Sequence, residues 1–281
     1  MRPGHGWPAG AFLAGFLASL PGVAAPAHVV STFLCTDEYV FRLLPRANIA
    51  ALSFEAADRH PVVSTIADAV KGIPLVHNSA EEVLSLHPDV VVMLAGTELP
   101  LHTQLRGAGQ RIIDIPLANS LADIRSVTLN LGHALGADAR AHALVENMNR
   151  LLYAATVSAP PVRTLIYQPN GYAGSDRVTD EILGAAGLVD LATRSGTIPI
   201  ETVVSSPPDL IILDGASDAR PSLANLVLQH PAFKALARHT MIGRVALTPL
   251  LCPGPWSVST VPQFAYWGRK VRQLARDRGA P

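Results

Sequence analysis

Glu81-Glu82-Val83-Leu84-Ser85-Leu86-His87-Pro88-Asp89-Val90-Val91-Val92 recurs in the second half of the chain as Glu201-Thr202-Val203-Val204-Ser205-Ser206-Pro207-Pro208-Asp209-Leu210-Ile211-Ile212. In each copy an acidic residue opens a short helix, and a Pro-Asp pair ends it because the residue before proline is pushed out of the α region. The apolar run that follows has no polar alternation, which is the mark of a strand covered on both faces. A single repeat at such long spacing indicates two paired domains rather than a solenoid.

Around the repeat, short β-branched runs alternate with helical patterns, the signature of βαβ units and parallel sheets. Val29 to Leu34, Ile49 to Phe54, Val90 to Ala95 and Arg111 to Ile115 read as strands of a first lobe, and Val162 to Gln168, Leu210 to Asp214 and Arg244 to Leu247 as strands of a second. Between them, Leu121, Ile124, Val127, Leu131, Leu135, Leu144, Met148, Leu151 and Leu152 fall mostly three or four apart. That spacing predicts one long helix over residues 120–155, bent at Gly132 or Gly136, about 35 residues and about 50 Å long. Pro160-Pro161 then starts the second lobe. The expected fold is α/β, with two Rossmann-like lobes (residues 28–118 and 159–281) of parallel sheet joined by one long α-helix within residues 119–158. A stiff connector limits closure, and the loops after the strands should line the cleft between the lobes.

The amino terminus has Arg2, an apolar stretch from Ala9 to Leu20, then Gly22-Val23-Ala24-Ala25-Pro26-Ala27. Residues 1–27 read as a secretory signal peptide, too short to span a bilayer and ending in a small-x-small pattern. The expectation is a periplasmic protein that is free of the membrane after cleavage. With 22 basic against 22 acidic residues and no charge runs, the chain lacks the basic footprint of a nucleic-acid binder. An oxidising compartment allows Cys35 and Cys252 to pair, with buried free thiols or a shared metal or ligand contact as the alternatives.

No Gly-x-Gly-x-x-Gly, Walker loop or Gly-x-Ser-x-Gly elbow occurs, and the expectation is a binding protein, not an enzyme. The opening strand followed by Thr36-Asp37-Glu38 is one of four segments that together carry a resemblance. The others are Ser79-Ala80-Glu81-Glu82 to Pro88-Asp89, the helix after Ser120-Leu121-Ala122-Asp123-Ile124, and Asp180-Glu181-Ile182-Leu183-Gly184-Ala185-Ala186-Gly187-Leu188. In order and spacing they resemble the helical-backbone substrate-binding proteins, class III periplasmic binding proteins, of cobalamin, ferric-siderophore and haem ABC importers. The resemblance covers nearly all of the chain after residue 27. It implies no intrinsic cofactor, a bound corrinoid, ferric siderophore or haem, a permease partner in the inner membrane, and a monomer. It also implies that Glu81 and Glu201 dock on the permease. A sensor or chelate chaperone of the same fold, or a free divalent-metal binder, is the competing reading.

For the cleft, the strand-end loops offer Cys35, Thr36, Asp37, Tyr39, His60, Thr97, Gln168, Asn170, Tyr172, Cys252 and Trp256 as ligand contacts. Tyr39, Tyr172 and Trp256 suit stacking on a macrocycle; Thr97, Gln168 and Asn170 suit its polar edges. Asn170-Gly171 reads equally as a tight turn, and Trp256 equally as core. His60 suits an axial or hydrogen-bonding role toward a chelated metal.

Overall fold

The computed structural model describes residues 26–59, 63–156, 158–174, 176–193, 195–215 and 226–278. The expected signal peptide, up to Ala25, and His60 lie outside the described residues. Val29, Val30 and the run from Val90 to Met93 have no solvent exposure, as a strand covered on both faces requires. They form the middle of a five-stranded sheet built from β1 (Val29–Ser31), β2 (Ile49–Ser53), β3 (Leu75–Val76), β4 (Val90–Leu94) and β5 (Ile112–Ile115), in the order β3-β2-β1-β4-β5. Every pairing is parallel, with Val29 opposite Ile49 on one side and Val90 on the other. Helices α1 (Leu34–Leu43), α2 (Ala80–Ser85) and α3 (Leu99–Gly107) connect these strands. Leu34 is therefore helical, and β3 is too short to have registered in the sequence pattern.

Residues 121–155 correct the expectation of a single long rod. They form two helices, α4 (Leu121–Ala134) and α5 (Asp138–Ala155), and the chain reverses between them. Gly136 takes a left-handed φ of +66°, which glycine adopts without penalty. The Ala137 amide donates back to the Gly132 carbonyl at 2.7 Å. The two helices run antiparallel, since Arg125 Nε donates to Asn149 Oδ1 at 2.9 Å and Gly132 lies against Ala141. Periodicity alone misled here because the apolar spacing continues through both helices. The connecting role survives in α5, an 18-residue helix about 27 Å long. Its early residue Ala141 joins the first-lobe core with Leu131 and Leu135, whereas Met148 joins the second-lobe core with Ile124. α5 touches α1 in the first lobe, and in the second it touches α6 (Arg177–Ala185) and α11 (Val261–Asp277).

The second sheet contains β6 (Val162–Ile166), β8 (Leu188–Asp190), β10 (Leu210–Asp214) and β11 (Met241–Val245), all parallel in the order β11-β10-β6-β8. β11 starts at Met241 rather than at Arg244. A small antiparallel pair, β7 (Tyr172–Ala173) with β9 (Gly196–Thr197), stands beside it. Among the described residues the remaining α-helices are α7 (Ile200–Ser205), α8 (Leu226–Gln229), α9 (Pro231–Leu236) and α10 (Thr248–Leu251).

The repeat has one structural form in both lobes. α2 leads into β4 as α7 leads into β10. Asp89 Oδ2 accepts from the His28 amide at 2.9 Å and its own N–H donates to the His28 carbonyl. Asp209 does the same with Arg163, at 3.0 Å through its carboxylate. Each Pro-Asp thus pins the entry of its strand to the start of the neighbouring central strand. No helix among the described residues is long and apolar enough to cross a membrane.

Candidate ligand cleft

α1 starts directly after β1, and α10 shortly after β11, so both begin at the carboxyl ends of their sheets. Cys35 in the first turn of α1 is bonded to Cys252 just past α10. The carboxyl edges of the two sheets are thereby drawn to one place, where an open α/β fold binds its ligand. Of the three readings of the cysteines, the structure has the disulfide.

Around this bond the loop from Cys252 to Trp256 enters the core of the first lobe. Tyr39 donates its hydroxyl to the Pro253 carbonyl at 3.2 Å, and its ring meets Trp256 edge-on at 4.8 Å between centroids. The Arg42 guanidinium lies 4.5 Å above the Trp256 ring. Tyr39 and Trp256 are buried, so they hold the lobes together and are not exposed to stack on a macrocycle. Burial also pushes the Tyr39 hydroxyl pKa upward, against a Thr128 hydrogen bond that pulls it down.

Thr36, Asp37 and Glu38 are interior too. Thr36 Oγ1 donates to the Phe33 carbonyl and lies 2.7 Å from Ser31 Oγ. Asp37 accepts from the Ser53 amide at 3.0 Å and from the Ser53 hydroxyl at 2.5 Å. Burial raises the Asp37 pKa to about 8, against the hydrogen bonds from Ser31 and Ser53 that lower it, with Glu55 adding to the rise. Glu38 pairs with Arg42 and accepts from the Thr65 amide and hydroxyl. The expectation that Cys35, Thr36, Asp37 and Tyr39 touch a ligand does not fit these positions: polar groups buried at a sheet edge must be satisfied internally, and these are.

The exposed first-lobe face is made by other residues. Phe54, after β2, is 44% exposed and stacks on His77, after β3, at 5.2 Å and 16°. Glu98, after β4, sits in the left-handed region at φ 47° and accepts from Thr32 Oγ1 at 2.7 Å. Desolvation raises its pKa, and nearby Glu55 adds to the rise. Thr97 turns inward, donating to the Leu94 carbonyl at 2.8 Å.

On the second lobe a cavity of about 310 Å³ opens at the ends of β6, β10 and β11, lined in part by Gln168, Tyr172, Asp176, Asp214, Thr248 and Leu251. Gln168 and Tyr172, offered by the sequence as ligand contacts, lie in its wall. Asn170 at φ 60° and Gly171 at φ 74° form the turn beside it, the alternative that the Asn-Gly pair offered. Asp214 sits in a strand-end loop that the sequence also offers, whereas Asp176 and Thr248 are not singled out by it, since a carboxylate before a helix looks in sequence like an ordinary cap. Recesses at the opposite pole, such as one of about 410 Å³ lined by Asp209, Arg238 and Leu274, lie at the amino ends of the strands, where this architecture does not bind.

A family profile described as periplasmic binding protein matches residues 29–242, which takes in the first sheet, the connector and the second sheet as far as the start of β11. The chain belongs to this family. Membership makes it a binding component of transport rather than a catalyst. No curated protein matches the sequence. Among solved structures, this periplasmic binding protein is similar to a periplasmic haem-binding protein from Pseudomonas aeruginosa, with 23% identity over 86% of this chain and 92% of that one and a TM-score of 0.64. It is also similar to the periplasmic haem-binding protein HutB of Vibrio cholerae, with 18% identity, 85% and 98% coverage and a TM-score of 0.68. The periplasmic vitamin B12 binding protein BtuF of Vibrio cholerae matches with 17% identity, 88% and 98% coverage and a TM-score of 0.66. These likenesses establish the class III periplasmic-binding-protein fold that the sequence predicted.

Proposed function

We propose that the chain is the exported substrate-binding protein of an ABC importer, carrying a metal chelate of the corrinoid, ferric-siderophore or haem kind to a permease in the inner membrane. The observation that carries this reading is the meeting of the two sheets' carboxyl edges, tied by α5 and the Cys35–Cys252 bond around a polar cleft. Such a frame suits a largely preformed site with little closure. Similarity to periplasmic haem-binding and vitamin B12-binding proteins supports the chelate class. Residues 1–27 serve as the export signal, 28–118 and 159–281 as the lobes, and the ligand is held by Gln168, Asn170 and Tyr172, with His60 as a further contact. Among the described residues no three His, Cys, Asp or Glu side chains gather into a metal-holding group.

The test is to purify the exported protein from its native host and record the absorption and mass spectra of what accompanies it. A corrinoid, haem or ferric siderophore supports the reading; a bare divalent ion, or turnover of the bound compound, overturns it.

A further inference from the structure

The carboxyl half of α11 carries Arg269, Lys270, Arg272 and Arg276, which with Tyr266 and Gln273 line a recess of about 310 Å³. Residues three and four apart share a helix face, so Arg269, Arg272 and Arg276 stand in one row. Attraction to the negative end of the helix accounts for Arg276 in the last turn, but it fades within that turn and does not reach Arg269 and Arg272. Asp277, next in sequence to Arg276, lies about 100° further round the helix. Lys270 is occupied by the Tyr266 ring, whose centroid is 5.7 Å from its Nζ.

Arg272 is the innermost of the row. Its Nη1 donates to the Gly187 carbonyl at 3.3 Å, at the entry of β8. Its Nη2 lies beside Gly268, where a Cβ would stand 3.1 Å from it. That Nη2 is buried without a hydrogen-bond partner, a state seldom left uncorrected in folded proteins. Burial lowers the Arg272 pKa, and the charges of Arg269 and Arg276 lower it further. The three guanidiniums are thus close enough to repel one another. A guanidinium meets phosphate through paired N–H bonds, and a tetrahedral oxyanion has oxygens for more than one such fork. Phosphate set among the three relieves the repulsion, and a turn of the Arg272 guanidinium gives Nη2 its missing acceptor.

We propose that Arg269, Arg272 and Arg276 form a phosphate-group site on the flank of α11, for free phosphate or the headgroup of an anionic phospholipid. Because Gly187 precedes β8, this site lies at the amino ends of the second sheet, the pole away from the cargo cleft. What it takes is separate from the chelate.

The experiment gives the purified protein two probes at one ionic strength, set with sodium chloride. Inorganic phosphate is titrated by calorimetry, and phosphatidylglycerol vesicles are tested by sedimentation against vesicles of phosphatidylcholine alone. Binding of phosphate assigns a free ion, and preference for phosphatidylglycerol without binding of phosphate assigns a lipid; either supports the site. Arg272→Lys keeps the charge and loses the fork, and should weaken the probe that binds at least about tenfold. Arg269→Gln with Arg276→Gln, at exposed positions, should do the same and keeps the test open if Arg272→Lys fails to fold. Binding of neither probe overturns the site. So does binding that a folded Arg272→Lys leaves within about twofold of the parent, which marks diffuse charge rather than a built fork.

Discussion

Cys35 and Cys252, 217 residues apart in sequence, are joined across the two lobes where the strand ends of both sheets meet. Closing so long a loop removes much of the freedom of the unfolded chain, about 5 kcal/mol in the chain-entropy account. Reduction, or Cys35→Ala with Cys252→Ala, should lower the melting temperature by roughly 10 °C. It should also red-shift the tryptophan fluorescence as the loop carrying Trp256 leaves the first-lobe core. An unchanged melting curve in a strong reductant, with free thiols confirmed by titration, would mean that the packing of Tyr39 and Arg42 on Trp256 suffices without the bond.

The α4–α5 hairpin depends on one missing methyl group. A Cβ on Gly132 would stand 2.3 Å from the Cβ of Ala141, well inside van der Waals contact. Gly132→Ala should therefore destabilise the protein by about 1–3 kcal/mol, although alanine is the better helix former. Ala141→Gly in the same chain should restore much of the loss. A denaturant-unfolding cycle on the two single variants and the double variant measures this coupling; strict additivity would show that the helices do not touch here.

Asp37 makes stability depend on pH in an unusual direction. Its folded pKa of about 8 lies above the ordinary 3.8, so between these values the folded state keeps a proton that the unfolded chain has released. The resulting stabilisation is complete below the ordinary value and is lost as pH rises through the folded one, by at most about 1.4 kcal/mol per pH unit. Asp37→Asn keeps an acceptor for the Ser53 amide and cannot ionise. Urea unfolding at several pH values across that window should show a falling stability in the parent and a flatter profile in the variant. Parallel profiles would assign the pH dependence to other groups.

What was legible in the sequence follows from what leaves a local trace. The duplicated Pro-Asp and apolar runs announced β4 and β10 because a strand covered on both faces cannot hide its composition, and Asn170-Gly171 announced its turn because few residues adopt left-handed backbone. The hairpin turn at Gly136 was not legible, since helical spacing is blind to direction across a three-residue break. The cleft was read only in part. Thr36 and Asp37 have the residue types of a binding loop, and only tertiary packing reveals that Ser31 and Ser53 satisfy them from within. Glu55 carries no signal beyond being acidic, because the Leu34 amide that it accepts from belongs to a helix 21 residues away in the chain.

Glu81 and Glu201 occupy matching first-turn positions of α2 and α7, one on each lobe, and both are exposed. The capping work on α2 is done by neighbours: Ser79 accepts from the Glu82 amide at 3.4 Å, and Glu82 accepts from the His77 amide at 2.9 Å. Glu81 is thereby left to the outer surface. Two carboxylates on like elements of twin lobes suit a permease with two-fold symmetry, each forming a charge-assisted pair with a basic side chain. Opposing the helix dipole is worth only about 0.3–1 kcal/mol at an exposed first turn, so Glu81→Lys with Glu201→Lys should barely alter stability. Chelate affinity measured on the purified protein should likewise stay within about twofold, while uptake into cells carrying the cognate permease should fall at least about tenfold, a gap of about 1.4 kcal/mol. Normal uptake by the doubly reversed protein would leave these glutamates with their helices alone.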